Sequence, residues 1–495
     1  MQAFISVYNK AGIAEFAREL RRLGYDIIAS GGTAKHLKEA EVPVTELAKL
    51  IGAGDMLHHK VVTLDRKFHA MLLADESPEE VAELKKLGVP RIDLICGDFY
   101  PQNGGTRHEA GGSASAVAET DIGGPTMIRA ATKGKRIVLC DADDRAKVIS
   151  AIKNGSIEKL KQQLWARAEN SVADYVRESA QKYFPQIPVK YGENRWQTDA
   201  SLYVTEFDDP FSPDRFIVKE GTDRSYINFT DIDRLLQSAT HIAAGFKKNF
   251  DKLPAIAIGA KHGNLCGAGV GKEALKRMLS GDPQAISGGW VLVNFAINKK
   301  EAKLLKDGRI LDGVIAPAVS EEATEILARK SGKCRIVVNP ALETHLVNLD
   351  DRMRFRYVRG GFLAQSNYTF VPKIKNKDLL LAWAVGSTSN SNTITLVKNG
   401  MMIANATGQQ SRVLACRLAI MIAKNANHEI KGSAAYSDSF FPFTDGPKVL
   451  VDSGIKSLFV TSGSIRDKEV FGYLKKHKIR IVTFPDEQAR GFYAH

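Results

Sequence analysis

Lys261-His262-Gly263-Asn264-Leu265-Cys266-Gly267 follows an apolar run, Ala255–Ile258, that reads as a strand. An imidazole exchanges protons near neutral pH, and an adjoining ammonium tunes the ring or stabilises developing negative charge. Lys-His pairs also occur as surface accidents, but a strand end followed by a Gly/Asn/Gly loop is where sites tend to be built. Two polar runs flank the strand Thr393–Val397: Ser389-Asn390-Ser391-Asn392 and Gly408-Gln409-Gln410-Ser411-Arg412. They offer amide and hydroxyl donors and one guanidinium, whose fork suits phosphate or carboxylate. Ser30-Gly31-Gly32-Thr33 joins an apolar strand to a helix, so backbone N–H groups and two hydroxyls converge on one point. With Lys10 on the same sheet edge this makes a phosphate site; the alternative is a structural turn capped by Thr33. In Ser437 to Gly446, Phe440, Phe441 and Phe443 bracket Pro442, forming either a wall for a flat ring ligand or a packed turn. The histidines show no HxxxH or His-Cys clustering, so no metal is expected.

The chain that must position these groups has 495 residues, which implies two or three domains. Hydrophobic residues at 44% and charged residues at 25% exclude a disordered, collagen-like or coiled-coil chain. Sixty-nine Lys and Arg against 56 Asp and Glu give a net charge of +13, which suits an anionic partner. The basic residues are spread out and diluted by acids, as in Glu158 before Lys159-Leu160-Lys161, a pattern that favours small anions over nucleic acid. Apolar runs such as Leu379–Val385 fall short of the roughly 18 residues of a membrane span. Met1 to Val7 lacks a basic leader region, and five scattered cysteines suit a reducing compartment, so a cytoplasmic protein without disulfides is expected.

The first hundred residues alternate strand and helix signals. Strands are expected at Ala3–Val7, Tyr25–Ala29, Phe68–Leu73, Asp93–Gly97 and Arg136–Cys140. Ile13, Phe16, Ala17 and Leu20 form one helical stripe, and further helices are expected through Lys38 and near Pro78–Leu87. This order implies an α/β, Rossmann-like parallel sheet with ligands at the strand carboxyl ends. A long polar helix from Ser156 to about Tyr183 ends at Phe184-Pro185-Gln186-Ile187-Pro188, the expected domain boundary. Mixed strands and helices follow, with Gly-containing turns at Gly288-Gly289, Gly360-Gly361 and Gly463 and no repeat of fixed period.

Five segments, in order, resemble the AICAR transformylase/IMP cyclohydrolase family. They are Ser30-Gly31-Gly32-Thr33-Ala34-Lys35, the run from Asp121 through Gly123-Gly124-Pro125 to Ala131, Tyr191-Gly192-Glu193-Asn194, Lys261-His262, and Ser437-Asp438 through Asp445. The resemblance implies a methylglyoxal-synthase-like cyclohydrolase domain with a linker helix over 1–188. It also implies a transformylase region of two cytidine-deaminase-like α/β subdomains over 189–495, without the deaminase zinc. It implies a homodimer that moves the formyl group of 10-formyltetrahydrofolate to AICAR and closes formylated AICAR to IMP, with no nucleic acid or membrane as partner.

By the same resemblance His262 transfers the proton, Lys261 is its electrostatic partner, and Asn392 orients the reacting groups. Lys190, Tyr191, Asn194, Arg412 and Arg490 hold the nucleotide, with the arginines on its phosphate. Gly288 and Gly289 line the substrate, Asp312 meets the pterin, and Phe441 and Pro442 belong to the folate pocket. Cyclisation falls to Tyr100, Asp121 and Lys133, with Lys60 on the substrate and Lys10, Ser30, Gly31, Gly32 and Thr33 on its phosphate.

Departures from the family pattern cluster in the first domain. His59-Lys60-Val61-Val62-Thr63-Leu64-Asp65-Arg66 stands for G-R-V-K-T-L-H-P, so Val62 replaces a lysine. Asp98 replaces the asparagine of N-L-Y-P-F, and Tyr8-Asn9 replaces Ser-Asp beside Lys10. In the second region Asn194-Arg195-Trp196-Gln197 lacks a histidine of the family pattern, Lys190 replaces an arginine, and Ser387-Thr388 replaces Lys-His. Two other readings are a transformylase whose first domain is a degenerate remnant, and a nucleotide-binding regulator. Retention of Lys261, His262 and Asn392 argues against the regulator.

Overall fold

The computed structural model describes residues 1–52, 54, 56, 61–101, 120–205, 208–307 and 309–493. It divides into two compact units, Met1–Phe184 and Pro185–His495.

Unit 1 is built on five parallel strands in the order β3-β2-β1-β4-β5: β1 Gln2–Ser6, β2 Asp26–Ala29, β3 Thr45–Glu46, β4 Leu94–Gly97 and β5 Ile137–Leu139. Helix Ile13–Arg22 buries Ile13, Phe16, Ala17 and Leu20, the stripe expected from their spacing. Helix Pro78–Leu87 starts at its proline, with Ser77 accepting the Glu80 N–H as cap. Phe68–Leu73 is not a strand but part of helix Arg66–Leu73. Asp65 caps it by accepting the Phe68 N–H at 3.0 Å, and Phe68, Met71 and Leu72 fall on one buried face at helical spacing. Ala70, Met71, Leu72 and Leu73 are strong helix formers, so the strand expected from this short apolar run goes against its own propensity. The long helix is Ile157–Gln181, which buries Leu164, Ala168, Val172 and Tyr175.

Unit 2 contains two small antiparallel pairs, β6 Gln186–Pro188 with β7 Ser201–Tyr203 and β14 Met353–Val358 with β15 Gly361–Ser366. Its centre is an eleven-stranded mixed sheet ordered β20-β19-β18-β16-β17-β10-β9-β11-β12-β13-β8. The strands are β8 Ile217–Glu220, β9 Ile256–Lys261, β10 Asn264–Val270, β11 Trp290–Val293, β12 Gly313–Ala316, β13 Arg335–Val338, β16 Ile394–Lys398, β17 Met401–Ala406, β18 Ala434–Ser437, β19 Ser457–Phe459 and β20 Arg480–Val482.

The topology is duplicated. Helix Tyr226–Phe250 leads into hairpin β9–β10, then β11, β12 and β13, each preceded by a helix or a short connection; helix Lys377–Gly386 leads into hairpin β16–β17, then β18, β19 and β20 in the same manner. The halves join edge to edge where β10 pairs antiparallel with β17 at Gly269 and Met401. Residue types at matching places differ, which is why no periodic repeat is legible in the sequence: a shared topology needs only the same order of apolar strands and helices.

The two leading helices share one face of the sheet with a single core that includes Leu235, Ile242, Trp290, Leu380, Trp383 and Tyr436. Every residue of Leu379–Gly386 is buried, as an all-apolar helix requires. Each such leucine contributes about 2 kcal/mol through removal from water. The opposite face carries a separate core for each half, around Met278 and Val291 in one and Cys416 and Leu458 in the other.

Candidate functional site

Lys261 ends β9 and Asn264 begins β10, so His262 and Gly263 are the two residues of a tight hairpin turn. Both have positive φ, 54° and 69°, the turn geometry that matches the twist of paired strands. In the second half Asn399 and Gly400 occupy the matching turn with φ of 53° and 72°. Asparagine and glycine enter this region readily, whereas histidine does so at a cost of about 1–2 kcal/mol. His262 is exposed at the turn. Lys261 is half-buried, and its Nζ donates to the Ser287 carbonyl at 2.7 Å. That contact runs along the Gly288-Gly289 loop. A Cβ on Gly288 would stand 3.5 Å from the Lys261 Nζ, and one on Gly289 would lie 2.7 Å from the Ala260 carbonyl, so Gly289 lets this loop close on β9. Asp312, just before β12, lies at the same edge, its N–H donating to Gly289 O at 3.0 Å.

Asn392 belongs to a second cluster. Its Nδ2 donates to the Gln409 carbonyl at 2.7 Å, and its Oδ1 accepts from Arg412 Nη2 at 2.6 Å. Arg412 opens helix Arg412–Asn425, and its Nη1 donates to Ser437 Oγ at 3.0 Å and to Asp438 Oδ1. Asp438 is fully buried and also accepts from Ser391 Oγ. The Arg412 guanidinium is thus engaged by protein groups and fixes Asn392. This differs from its expected service as a phosphate fork, because a buried carboxylate needs a paired cation. Arg490 is exposed, 3.6 Å from Asp486, and the Gly491 N–H beside it reaches the Asp438 carbonyl at 3.3 Å.

The two clusters share one edge of the sheet. Because β10 and β17 run antiparallel, the end of β17 lies beside the start of β10, where Asn405 Nδ2 donates to both Leu265 O and Ser389 Oγ, at 3.2 and 3.1 Å. Helix Tyr226–Phe250 ties them again. Asp231 Oδ1 accepts the Gly263 N–H at 2.6 Å, while Arg234 donates to the Thr388 carbonyl and, at 2.8 Å, to Asn390 Oδ1. Burial pushes the Asp231 carboxyl up to about 6, against the pull of His262 and Lys261. Asp231 and Arg234 were not singled out from sequence, and Asp438 was read only as part of the Ser437–Asp445 segment, not as the partner of Arg412. The available signal was a polar stripe at helical spacing, Asn228, Asp231, Arg234, Ser238 and His241, all buried in one helix.

Lys190 and Tyr191 lie at the N-terminal end of the same helix: the Lys190 N–H donates to Arg224 O, and Tyr191 O accepts from the Tyr226 N–H. Asn194 instead closes its own loop, its N–H and Nδ2 both bonding Gln197 Oε1. Phe441 is not a pocket wall. It is 2% exposed in the core, and a Cβ on Gly446 would lie 2.7 Å from its ring. Pro442 is exposed, so the packed-turn alternative holds at this phenylalanine. A cavity of about 800 Å³ in unit 2, lined by residues such as Phe211, Phe229, Leu236 and Gln237, borders a different face of helix Tyr226–Phe250 from the one that carries Asp231.

In unit 1 the carboxyl ends of the parallel strands gather Lys10, Ser30, Thr33, Asp98 and Asp121. Lys10 is half-buried, with its Nζ on the Val7 carbonyl and 3.1 Å from Thr33 Oγ1, and burial lowers its pKa against the pull of Asp98. Ser6 and Ser30 hydroxyls meet at 2.9 Å. Gly31 and Gly32 open the helix without positive φ, and added Cβ atoms would meet nothing within 4 Å. What glycine supplies here is open approach to the helix N-terminus, not an unusual backbone. Thr33 does not cap the helix; its hydroxyl bonds Val7.

Asp98 accepts both the Tyr8 and Asn9 N–H groups, the latter at 3.1 Å. Asp121 accepts the Gly124 N–H at 2.8 Å, and burial raises its pKa. The Tyr100 ring stands edge-on to Tyr8 at 5.6 Å. Lys133 is not brought to this edge. It is exposed at the far end of helix Gly123–Lys133, roughly 15 Å along the axis from the first turn. Lys60 lies outside the described residues. Among the described residues, no group of three His, Cys, Asp or Glu is placed to hold a metal ion, and no helix is long and apolar enough to cross a membrane.

The profile of the AICARFT/IMPCHase bienzyme matches residues 134–422, more than half of the chain, and that of the MGS-like domain matches 12–126. The chain belongs to the AICARFT/IMPCHase bienzyme family. It is 31% identical to the bifunctional purine biosynthesis protein PurH of Neisseria meningitidis, over 97% of this chain and 98% of that protein. PurH of Persephonella marina and of Polynucleobacter asymbioticus are each 32% identical at the same coverage. Among solved structures, the crystal structure of ForH covers 37% of this chain and 98% of its own at 29% identity, with a TM-score of 0.32. As a member of this bienzyme family the chain is a bifunctional enzyme of purine biosynthesis, an AICAR transformylase and IMP cyclohydrolase with an MGS-like first domain.

Proposed function

We propose that residues 189–495 transfer the formyl group of 10-formyltetrahydrofolate to the 5-amino group of AICAR, and that residues 1–188 close the product to IMP. The observation that carries the first half is the shared sheet edge, which sets Lys261 and His262 on one hairpin and Asn392, ordered by Arg412, beside it. The AICAR amine is a weak nucleophile, its lone pair delocalised into the ring that bears the carboxamide. It needs a base as it attacks, and the oxygen of the formyl carbon needs a positive or donor partner as it gains charge. His262 takes the proton, Lys261 supplies charge, and Asn392 orients the reacting groups. Tyr191 and Lys190 hold the nucleotide, Arg490 offers the exposed guanidinium for its phosphate, and Asp312 meets the pterin.

Ring closure is intramolecular, so orientation supplies most of what it requires. The open helix N-terminus at Ser30–Thr33 with Lys10 takes the phosphate, and Asp121 and Tyr100 face the ring. The protein works in the cytoplasm as a homodimer. Support for a second copy comes from the β14–β15 hairpin, where Phe355, Tyr357, Phe362 and Leu363 are all exposed, since an isolated two-stranded hairpin is marginal in water.

The test is the purified protein with AICAR and 10-formyltetrahydrofolate, following folate product and IMP separately. Both should rise. No folate product would overturn the assignment of residues 189–495, and no IMP above the uncatalysed rate from supplied formylated AICAR would overturn that of residues 1–188.

A further inference from the structure

We propose that Asp231 is the positioning residue of the proton-transfer step, its carboxylate both fixing the His262-Gly263 turn and holding a negative charge beside the imidazole. The duplicated topology supplies an internal comparison. In the second half the matching turn, Asn399-Gly400, is held by Asp378, whose Oδ2 accepts the Asn399 N–H at 2.9 Å and whose Oδ1 accepts the Gly400 N–H at 2.7 Å. Both oxygens are engaged, and the carboxylate does nothing but hold a turn. Asp231 is buried at 3% exposure and accepts only the Gly263 N–H, through Oδ1. Its Oδ2 takes no hydrogen bond from a described residue.

The charged groups that face Asp231 are His262 and Lys261 on the hairpin, Asp312 at the entry to β12, and Arg234 one turn along its own helix. Burial and Asp312 raise its pKa, while the Gly263 N–H, His262 and Lys261 lower it. The hydrogen bond to Gly263 anchors the carboxylate one residue from His262, near enough for its charge to favour the imidazolium. When the AICAR nitrogen bonds to the formyl carbon, its proton passes to the ring; the bond from that carbon to the folate nitrogen then breaks, and tetrahydrofolate leaves with the proton returned from the imidazolium. Asp231 stays ionised and favours the imidazolium that forms.

This rests on the transformylase reading above. The variant is Asp231→Asn, which retains an oxygen acceptor for the Gly263 N–H and removes only the charge. In the full-length enzyme we expect kcat for formyl transfer to fall about tenfold or more, with KM for AICAR within about threefold. The acid limb of the kcat–pH profile should move to lower pH, and cyclisation should be unchanged. Asp378→Asn, the control, should alter neither kcat nor the profile. A folded Asp231→Asn enzyme with wild-type kcat and an unmoved acid limb overturns the proposal and leaves the transformylase reading intact. A wild-type enzyme without formyl transfer overturns that reading as well.

Discussion

Arg412 Nη2 donates to Asn392 Oδ1 at 2.6 Å while the same guanidinium is held by Ser437 and the fully buried Asp438. One planar fork therefore converts a buried negative charge into a fixed orientation for the amide at the site. Lysine, with a single point charge, cannot serve both partners. Arg412→Lys should lower kcat/KM for formyl transfer by about tenfold or more and leave cyclisation unchanged, measured in separate assays. Arg412→Ala should in addition lose about 3–5 kcal/mol in denaturant unfolding, because Asp438 is left unpaired.

His262→Ala should reduce formyl-transfer kcat by about 10²–10⁴, the span typical of a lost general base, with little change in AICAR affinity measured by calorimetry. On the proposed mechanism the imidazole acts as the proton moves and contributes little to ground-state binding. Unchanged turnover would remove His262 from the chemistry.

Val62→Lys restores a cation next to Thr63, whose Oγ1 lies where a Cβ on Gly123 would stand, at 2.5 Å, at the start of the Asp121 helix. The IMP formation rate from formylated AICAR should rise by about 10² if a donor at this place stabilises the transition state. No gain would show that another group already serves.

Asp98 places a carboxylate on the two backbone amides that follow β1, close enough to Lys10 to oppose the lowering of its pKa by burial. A substrate phosphate held by Lys10 and Ser30–Thr33, as proposed, would meet this charge. Asp98→Asn should lower KM for formylated AICAR by about threefold to tenfold at low salt, with a smaller gain at high salt, where screening already weakens the repulsion. An unchanged KM would show that phosphate binds beyond the reach of Asp98.

The raised pKa of Asp231 sets a pH dependence of stability. Its folded value of about 6 lies above the unfolded value of 3.8, so protons bind more tightly in the folded protein. Its contribution is fully present below about pH 3.8, is lost as pH rises through about 6, and stays lost above. Asp231→Asn should therefore be the more stable protein at pH 7, by on the order of 2–3 kcal/mol at most, and the difference should close by about pH 4. Denaturation midpoints at several pH values check this. Greater stability with lower turnover is what a functional charge held against its burial cost produces.

Much of unit 1 was legible before folding because its signals are local. The helix stripe from Ile13 to Leu20 and the N-cap and proline at Ser77-Pro78 depend on neighbours three or four residues apart. The strand expected at Phe68–Leu73 misreads local signals that are present: Ala70, Met71 and the two leucines favour a helix, and Asp65 caps it. Lys261-His262 stood out by residue type, and Phe441 misled by residue type, since an aromatic ring looks the same in a pocket wall and in a core.

Residue identity alone determined which chemistry is available here, a proton-exchanging imidazole beside an ammonium, and which family supplies its use. Tertiary structure alone decided what those groups touch. It duplicated a topology with no visible repeat, set Asn392 and Arg412 along the sheet edge from His262, placed Asp231 under the turn, and sent Lys133 to the far end of its helix. The contacts that build the site in unit 2 join residues 32 to 156 positions apart, and only the pairing of β10 with β17 and the packing of one long helix across both halves bring them together.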